Sequence, residues 1–249
     1  MKKTTIYEYY AFGHNYQLIK QDGLKGWNNE DAKADLKSFF ERLDELNLPV
    51  TRKVAGELIS IMKSIPDNDE VISAEIVRKI FDQMQKIDPS LDAELELKEA
   101  FVLTEKRFSL NFLTSAPEKL LGNNVFSQLS DNSKKDFSLA CLQVALNQPT
   151  AAAFHLMRAA EEQVKQLYYS FKKQNRLEKP MWGPMIQELR LKRKPKPETK
   201  TLDLLDSIRI HFRNPTQHPE AFYTLDEAQD LLNQTIAAIN MIHREIQNK

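Results

Sequence analysis

The sequence predicts an all-α protein, and three observations support this. Its 249 residues include only six glycines and are rich in Ala, Leu, Glu, Lys and Gln, which favour helix. Apolar residues recur three and four positions apart over long segments, and prolines lie at the ends of these segments. Hydrophobic residues make up 41% and charged residues 28%, a composition that supports a buried core and excludes a disordered chain.

The N-terminal part of the chain is expected to be an extended arm followed by helices. Residues 1–28 are dense in aromatic side chains and punctuated by glycine, and we expect them to pack on the rest as an arm. Helical periodicity begins at Ala32 and predicts four helices, each ended by a proline. Their approximate ranges are 32–48, 51–65, 69–87 and 90–113. Residues 1–130 therefore form a predicted N-terminal helical region.

The C-terminal part is predicted to be a four-helix bundle. Residues 121–132 are polar and indicate a loop with one helical turn, so we place the domain boundary between residues 130 and 131. Apolar stripes then predict a helix at 134–146, a long helix capped by Thr150 and a short one with Pro184 at its first position. Two more helices flank residues 213–218, and the second begins with a capping-box spacing at residues 224 and 227. Residues 131–249 are thus assigned to the bundle.

Composition limits the classes of function. The net charge is formally zero, with 16 basic and 12 acidic residues from 149 onward, so charge alone does not point to nucleic acid. The single cysteine, Cys141, excludes an intramolecular disulfide and Cys-rich zinc or redox motifs, and its apolar neighbours predict a buried residue. Because zinc spacings, a P-loop and a Gly-rich dinucleotide turn are absent from the sequence, we predict no metal and no cofactor.

The same sequence features predict a soluble cytoplasmic protein. Two lysines follow Met1, but no apolar segment comes after them, so the N-terminus does not resemble a signal peptide. No stretch approaches 18 apolar residues, and no membrane partner is therefore expected.

The most informative motif is the segment 213–218 (RNPTQH), which joins the last two predicted helices. Eleven arginines and five histidines give about 0.2 Arg-x4-His pairs by chance, and requiring Asn after Arg lowers this to about 0.01. Asn214 precedes a proline, so its backbone is expected to leave the right-handed helical region. Pro215 and Pro219 are expected to stiffen the loop, and Asn214 to orient His218.

These residues carry a family resemblance. Arg213-Asn214-x-x-x-His218 between two amphipathic helices resembles the signature of HEPN domains, all-α bundles found in many prokaryotic toxins, phage-defence proteins and CRISPR-associated ribonucleases. Residues 152–161 (AAFHLMRAAE) are similar to the first bundle helix of bacterial HEPN proteins, and residues 182–186 (WGPMI) and 213–228 fit the same pattern. The resemblance covers about residues 134–247 and does not extend to residues 1–130.

The resemblance implies a metal-independent endoribonuclease with Arg213, Asn214 and His218 as catalytic residues. RNA carries its own nucleophile, the 2′-hydroxyl, so the enzyme needs to move a proton and to stabilise charge on the phosphate. Histidine exchanges protons near pH 7, and arginine offers a fixed fork of donors to a phosphate. The expected products are a 2′,3′-cyclic phosphate and a 5′-hydroxyl. The family also implies a homodimer whose two loops form one cleft, and a role as a toxin or phage-defence effector with an antitoxin or another regulatory protein as partner.

Two further groups of residues are candidates for the same site. Arg158 and Glu161 lie on one helix close in sequence and are expected to support the cleft, although an ordinary surface ion pair would have the same spacing. Lys192, Arg193 and Lys194 belong to a basic, proline-containing run that is a candidate for contact with an RNA backbone, although such runs are commonly just solvated.

Two simpler alternatives remain open. Arg213 can be an arginine near a helix C-terminus, with His218 hydrogen-bonded locally in the loop. The whole chain can also be a non-catalytic helical module that binds a partner protein or a ligand, with residues 1–130 as its binding region.

Overall fold

The computed structural model describes residues 4–172, 177, 180–216, 218 and 220–249. Within these residues the fold is all-α, as predicted, and the only β-type pairing is an isolated bridge between Asn28 and Val71. No helix in the described ranges has both the length and the apolarity needed to cross a membrane. The chain forms two compact units, residues 1–101 and residues 102–249, each with its own hydrophobic core.

The first unit contains five helices within its described residues. They are α1 (Ile6–Asp22), α2 (Asn29–Glu45), α3 (Pro49–Val54), α4 (Gly56–Ser64) and α5 (Ala74–Glu96). The helix expected from residue 32 is confirmed as α2, whereas the single helix expected over residues 51–65 is divided at Ala55 into α3 and α4.

The predicted extended arm over residues 1–28 is wrong, because most of it is helix α1. Thr5 and Glu8 form a capping box at its start, which satisfies backbone N–H groups that would otherwise lack a partner. Phe12, Tyr16 and Ile19 are spaced four and three apart and are buried in the core of this unit. The other aromatic residues of the helix lie outside this buried stripe, and for this reason the helical period of the apolar residues is hard to recognise in the sequence.

The predicted break at Pro89 is also wrong, because α5 continues through this residue. A proline inside a helix costs about 3 kcal/mol. Ile87 and Leu91, on either side, are both buried, and burial of two such side chains stabilises by about 3–6 kcal/mol. The single helix expected over residues 90–113 is wrong: residues 90–96 are the end of α5, residues 97–109 lie outside helices, and helix resumes at Leu110. Leu97 and Phe101 in the interruption are strongly exposed.

The second unit begins earlier than the boundary drawn from sequence. Residues 102–130 belong to it, because Leu113, Leu121, Val125 and Leu129 are buried in its core. Its helices are α6 (Leu110–Thr114), α7 (Val125–Gln128), α8 (Asp131–Ala145), α9 (Pro149–Phe171), α10 (Trp182–Leu191), α11 (Thr199–Ile208), a π-helical turn (Arg209–Arg213), α12 (Asn214–Thr216) and α13 (Leu225–Gln247). A 3₁₀ turn covers Pro117–Leu120.

Helix α9 is the central helix of this unit and packs against α8, α13 and α10, and α11 packs against α13 and α10. Four alanines of α9 are buried, and their small side chains allow close approach of the neighbouring helices: Ala152, Ala153, Ala159 and Ala160. Gln163 Nε2 donates to Ser133 Oγ at 2.9 Å, which joins α9 to α8. Cys141 on α8 is fully buried, as expected, and burial raises the pKa of its thiol to about 12.

The ends of α9 and α10 differ in detail from the prediction. The cap of α9 is Gln148 with Pro149 in the first turn, and Thr150 is not the N-cap. Helix α10 begins at Trp182, so Pro184 is its third residue. The capping box of Thr224 and Glu227 at the start of α13 is confirmed.

Candidate functional site

Residues 213–216, the first four of the RNPTQH segment, are more helical than the sequence predicts. The π-helical turn 209–213 leads directly into α12, and the backbone N–H of Asn214 donates to the carbonyl of Arg209, five residues back. Asn214 has φ −64° and ψ −51°, so the expectation that it leaves the right-handed helical region is wrong. Pro215 has no N–H to donate four residues back, and the wider π turn is one way in which a helix accommodates such an interruption.

Hydroxyl groups hold this turn in place. Thr216 Oγ1 donates to the carbonyl of Phe212 at 2.6 Å, and Tyr223 Oη donates to the same carbonyl at 3.1 Å. The rings of Phe212 and Tyr223 stack with their centroids 6.3 Å apart. The backbone N–H of Tyr223 donates to Thr150 Oγ1 at 3.2 Å, so Thr150 connects α9 to the chain after the loop instead of capping its own helix.

Arg213 at the end of the π turn contacts the middle of α9. Its Nη2 lies 3.5 Å from Oε2 of Glu161, and the two side chains are only 20% and 27% exposed. They line a groove of about 340 Å³, whose walls are formed by Phe154, Met157, Arg158, Glu161, Arg213 and Thr216. Three residues selected from the sequence, Arg158, Glu161 and Arg213, are thus brought together.

A buried carboxylate that the sequence analysis missed holds Arg158. Asp136 on α8 has a side chain only 8% exposed, and its Oδ2 accepts a hydrogen bond from Arg158 Nε at 3.1 Å. Its other oxygen lies 2.9 Å from His155 Nδ1. The sequence contains a signal for this residue, because Asp136 is an acidic residue next to Phe137 on the buried face of α8. Arg158 therefore pairs with a carboxylate of α8 and not with one of its own helix, α9.

The other two predicted catalytic residues lie outside the groove walls. Asn214 and His218 are exposed, and the described hydrogen bonds include none between their side chains. The backbone N–H of His218 donates to the carbonyl of Pro215 at 2.8 Å, and its carbonyl accepts from Ala221 N–H at 3.1 Å. His218 thus follows the groove residue Thr216 on an exposed turn. Gln217 and Pro219, the latter expected to stiffen the loop, lie outside the described residues.

The basic run is far from this groove along the bundle. Lys192, Arg193 and Lys194 follow the end of α10 and precede α11, whose far end continues into the turn that carries Arg213. The fourteen-residue separation of Thr199 from Arg213 corresponds to about 20 Å of helix. These three residues do not line the Arg213 groove.

A second groove, of about 550 Å³, lies in the first unit. Val71, Val77 and Phe81 contribute apolar surface, and Lys25 and Arg78 contribute charge. In the described part of the chain, no group of three or more His, Cys, Asp or Glu side chains is arranged to hold a metal ion.

Comparisons with known protein families, with curated proteins and with solved structures found no match to this chain.

Proposed function

We propose that this protein is a metal-independent endoribonuclease of the HEPN type. The observation that carries the proposal is the groove in which Arg213, at the start of the RNPTQH segment, meets Glu161 and Arg158 of α9. These residues were selected from two separate sequence motifs, and they lie on two different helices. If the Arg-x4-His spacing were a coincidence, there would be no reason for Arg213 to contact the other motif, residues 152–161 of α9.

The chemistry follows from the positions of the charged groups. Glu161 holds the guanidinium of Arg213 at the wall of the groove, where it can stabilise the charge that develops on a phosphate. Asp136 holds Arg158 at the same groove, so a second cation is available for the RNA backbone. His218 accepts the proton of the attacking 2′-hydroxyl as the new oxygen–phosphorus bond forms, or, in its protonated form, gives a proton to the 5′ oxygen that leaves as its bond to phosphorus breaks. The products are a 2′,3′-cyclic phosphate and a 5′-hydroxyl.

The exposure of His218 supports the proposed homodimer. In one protomer this residue lies on an exposed turn and outside the groove walls, whereas Arg213 lines the groove. A second protomer packed against this turn would enclose both loops in one cleft. We further propose a cytoplasmic toxin or phage-defence effector that acts on RNA and is controlled by an antitoxin or another regulatory protein.

Cleavage of RNA in the presence of EDTA tests the proposal. We expect the wild-type protein to cleave, and Arg213→Ala and His218→Ala to lose about 100-fold or more in rate. Two exposed residues outside the groove serve as controls, His211→Ala and Arg244→Ala, and both should retain activity. Absence of cleavage, or equal rates in all four variants, would overturn the proposal.

The linkage at the cleavage site provides an independent test. An RNA with a single 2′-deoxy nucleotide 5′ to the scissile phosphate lacks the nucleophile and should resist cleavage at that position. Product termini should be a cyclic phosphate and a 5′-hydroxyl. Expression of the wild-type protein should also slow growth and degrade cellular RNA, whereas the His218→Ala variant should do neither.

A second candidate function, a non-catalytic module that binds a partner protein or a ligand, is favoured by the 550 Å³ groove of the first unit. Phe81 is 38% exposed and Val71 is 66% exposed in its walls, and such apolar surface is typical of binding sites. If this is the main function, Phe81→Asp should abolish the growth phenotype while Arg213→Ala leaves it unchanged.

A further inference from the structure

An aromatic side chain is exposed in the Arg213 groove. Phe154 is 49% exposed, although α9 is the central helix of the bundle. Its neighbours Ala153 and Leu156 are fully buried, and Met157 is nearly so. The ring of Phe154 forms one wall of the groove.

The groove combines this ring with cations. Arg158 lies one helical turn after Phe154, and its side chain is 70% exposed while Asp136 holds its Nε. Arg213 reaches the same groove from the π turn. An aromatic face beside positively charged groups is the combination with which proteins bind single-stranded nucleic acid: bases stack on the ring, and phosphates contact the cations.

The size of the groove fits a single residue of RNA better than a duplex. Its volume of about 340 Å³ is at the lower end of the range of about 300–1,000 Å³ that is typical of small-molecule pockets. Met157 and Thr216 also line the groove, and the hydroxyl of Thr216 donates to the carbonyl of Phe212. A paired base would not present its face to Phe154.

We infer that the groove binds one unpaired nucleotide of single-stranded RNA, with its base stacked on Phe154 and its phosphate held by Arg158 and Arg213. This inference rests on the proposed function for the identity of the ligand as RNA. Every base has an aromatic face, so Phe154 selects for unpaired nucleotides and not for one base. Double-stranded RNA is consequently a poor ligand.

Binding of a non-cleavable RNA tests the inference separately from catalysis. The probe is a short fluorescent oligouridylate with 2′-O-methyl groups throughout, compared by anisotropy with an abasic oligomer of the same length. We expect Phe154→Ala to weaken binding of the oligouridylate by about 5- to 150-fold, the equivalent of about 1–3 kcal/mol per stacked base, and to leave binding of the abasic oligomer unchanged. Phe154→Trp should preserve the preference for the base-containing oligomer.

Tyr169 supplies a matched control. It lies on the same helix, it is 48% exposed, and it does not line the groove. Tyr169→Ala should bind both oligomers as the wild-type protein does. Equal weakening by Phe154→Ala and Tyr169→Ala, or equal weakening of both oligomers by Phe154→Ala, would overturn the inference.

Further results separate the competing explanations. If Phe154→Ala changes the mass of the protein in sedimentation, the ring belongs to a contact between protomers, and the inference fails. If the wild-type protein binds oligouridylate through Phe154 but cleaves no RNA, the proposed ribonuclease activity fails while the nucleotide site stands. If the wild-type protein cleaves RNA and Phe154→Ala cleaves it equally well, the nucleotide site fails while the ribonuclease activity stands.

Discussion

Nη2 of Arg213 lies 3.5 Å from Oε2 of Glu161, and this contact joins the π-helical turn to the middle of the central helix α9. Both side chains are mostly removed from solvent, so the interaction is screened less than an ion pair on the open surface. Glu161 therefore contributes to the orientation of the guanidinium. In the proposed ribonuclease, Glu161 is a positioning residue and Arg213 is the group that touches the substrate.

Glu161→Gln is expected to lower the rate constant for RNA cleavage by about 5- to 10-fold, the equivalent of about 1 kcal/mol, since a neutral amide orients the guanidinium less strongly. Arg213→Lys should lower it by about 100-fold, because an ammonium group lacks the planar fork of donors. The measurement is kcat and KM separately, and the loss should fall mainly on kcat.

The control for this prediction is Glu162→Gln, which changes the neighbouring carboxylate. Glu162 pairs with Lys165 at 3.9 Å and does not line the groove. Equal kinetics for Glu161→Gln and the wild-type protein would show that Arg213 does not depend on this contact.

Asp136→Ala should destabilise the second unit by about 1.5–3 kcal/mol, because the carboxylate is nearly buried and holds both Arg158 and His155. The free energy of unfolding in urea gives the measurement. Cleavage should also fall in the folded fraction, since Arg158 loses its anchor at the groove.

Asp131→Ala on the same helix is the matched control. Asp131 is fully exposed, and its contact with Lys134 is 3.7 Å long, so its loss should cost less than about 1 kcal/mol. A destabilisation of Asp136→Ala no larger than that of Asp131→Ala would contradict the structural role assigned to Asp136.

The sequence was sufficient for the fold class and for most of the bundle. Helices α2, α8, α9 and α13 have apolar stripes with a clear period and recognisable ends, so their existence follows from local spacing. The sequence also assigned Arg158, Glu161 and Arg213 to one site, and these three residues line one groove. Their chemical roles remain part of the proposal.

The errors have a common physical cause, which is that tertiary contacts override local signals. Pro89 breaks an isolated helix, but buried residues on both sides keep α5 continuous. Asn214 before a proline should leave the helical region, but the π turn and the hydroxyls of Thr216 and Tyr223 keep residues 213–216 helical. Asp136 was missed because its partners lie 19 and 22 positions away, on another helix.

Thr216→Val is expected to destabilise the second unit by about 1 kcal/mol and to slow cleavage. The buried hydroxyl donates to the carbonyl of Phe212, and valine has a similar shape but no donor. Urea unfolding and cleavage rates measure the two effects.

Thr114→Val is the matched control for this change. Thr114 Oγ1 donates to the carbonyl of Leu110, four residues back, which is the pattern of Thr216, but it lies in α6 and not at the groove. It should lose stability similarly and retain its cleavage rate. If both threonine variants cleave alike, the hydroxyl of Thr216 has no role in positioning Arg213.

Glu94 should make the stability of the first unit depend on pH. Desolvation by burial raises the pKa of this carboxyl, but hydrogen bonds from the start of α3 outweigh it, so the pKa lies below its ordinary value of 4.5. The backbone N–H groups of Val50 and Thr51 donate to the two carboxylate oxygens at 3.1 and 2.8 Å. They are at the N-terminal end of α3, where a negative charge is favoured.

The sign of the effect follows from the lowered pKa. The ionised form of Glu94 stabilises the folded state at pH values above 4.5, and this contribution is lost as the pH falls below 4.5 through the lower pKa of the folded state. Glu94→Gln should therefore be less stable than the wild-type protein by about 1.5–3 kcal/mol at neutral pH, with the difference shrinking in acid.

Urea unfolding of the full chain at several pH values measures this dependence. Trp27 reports on the first unit once Trp182, the other tryptophan, is replaced in a Trp182→Phe background. Glu96→Gln is the control, because Glu96 is exposed at the end of the same helix. A stability difference between Glu94→Gln and its parent that stays constant down to strongly acidic pH would show that the ionised carboxylate does not stabilise the start of α3.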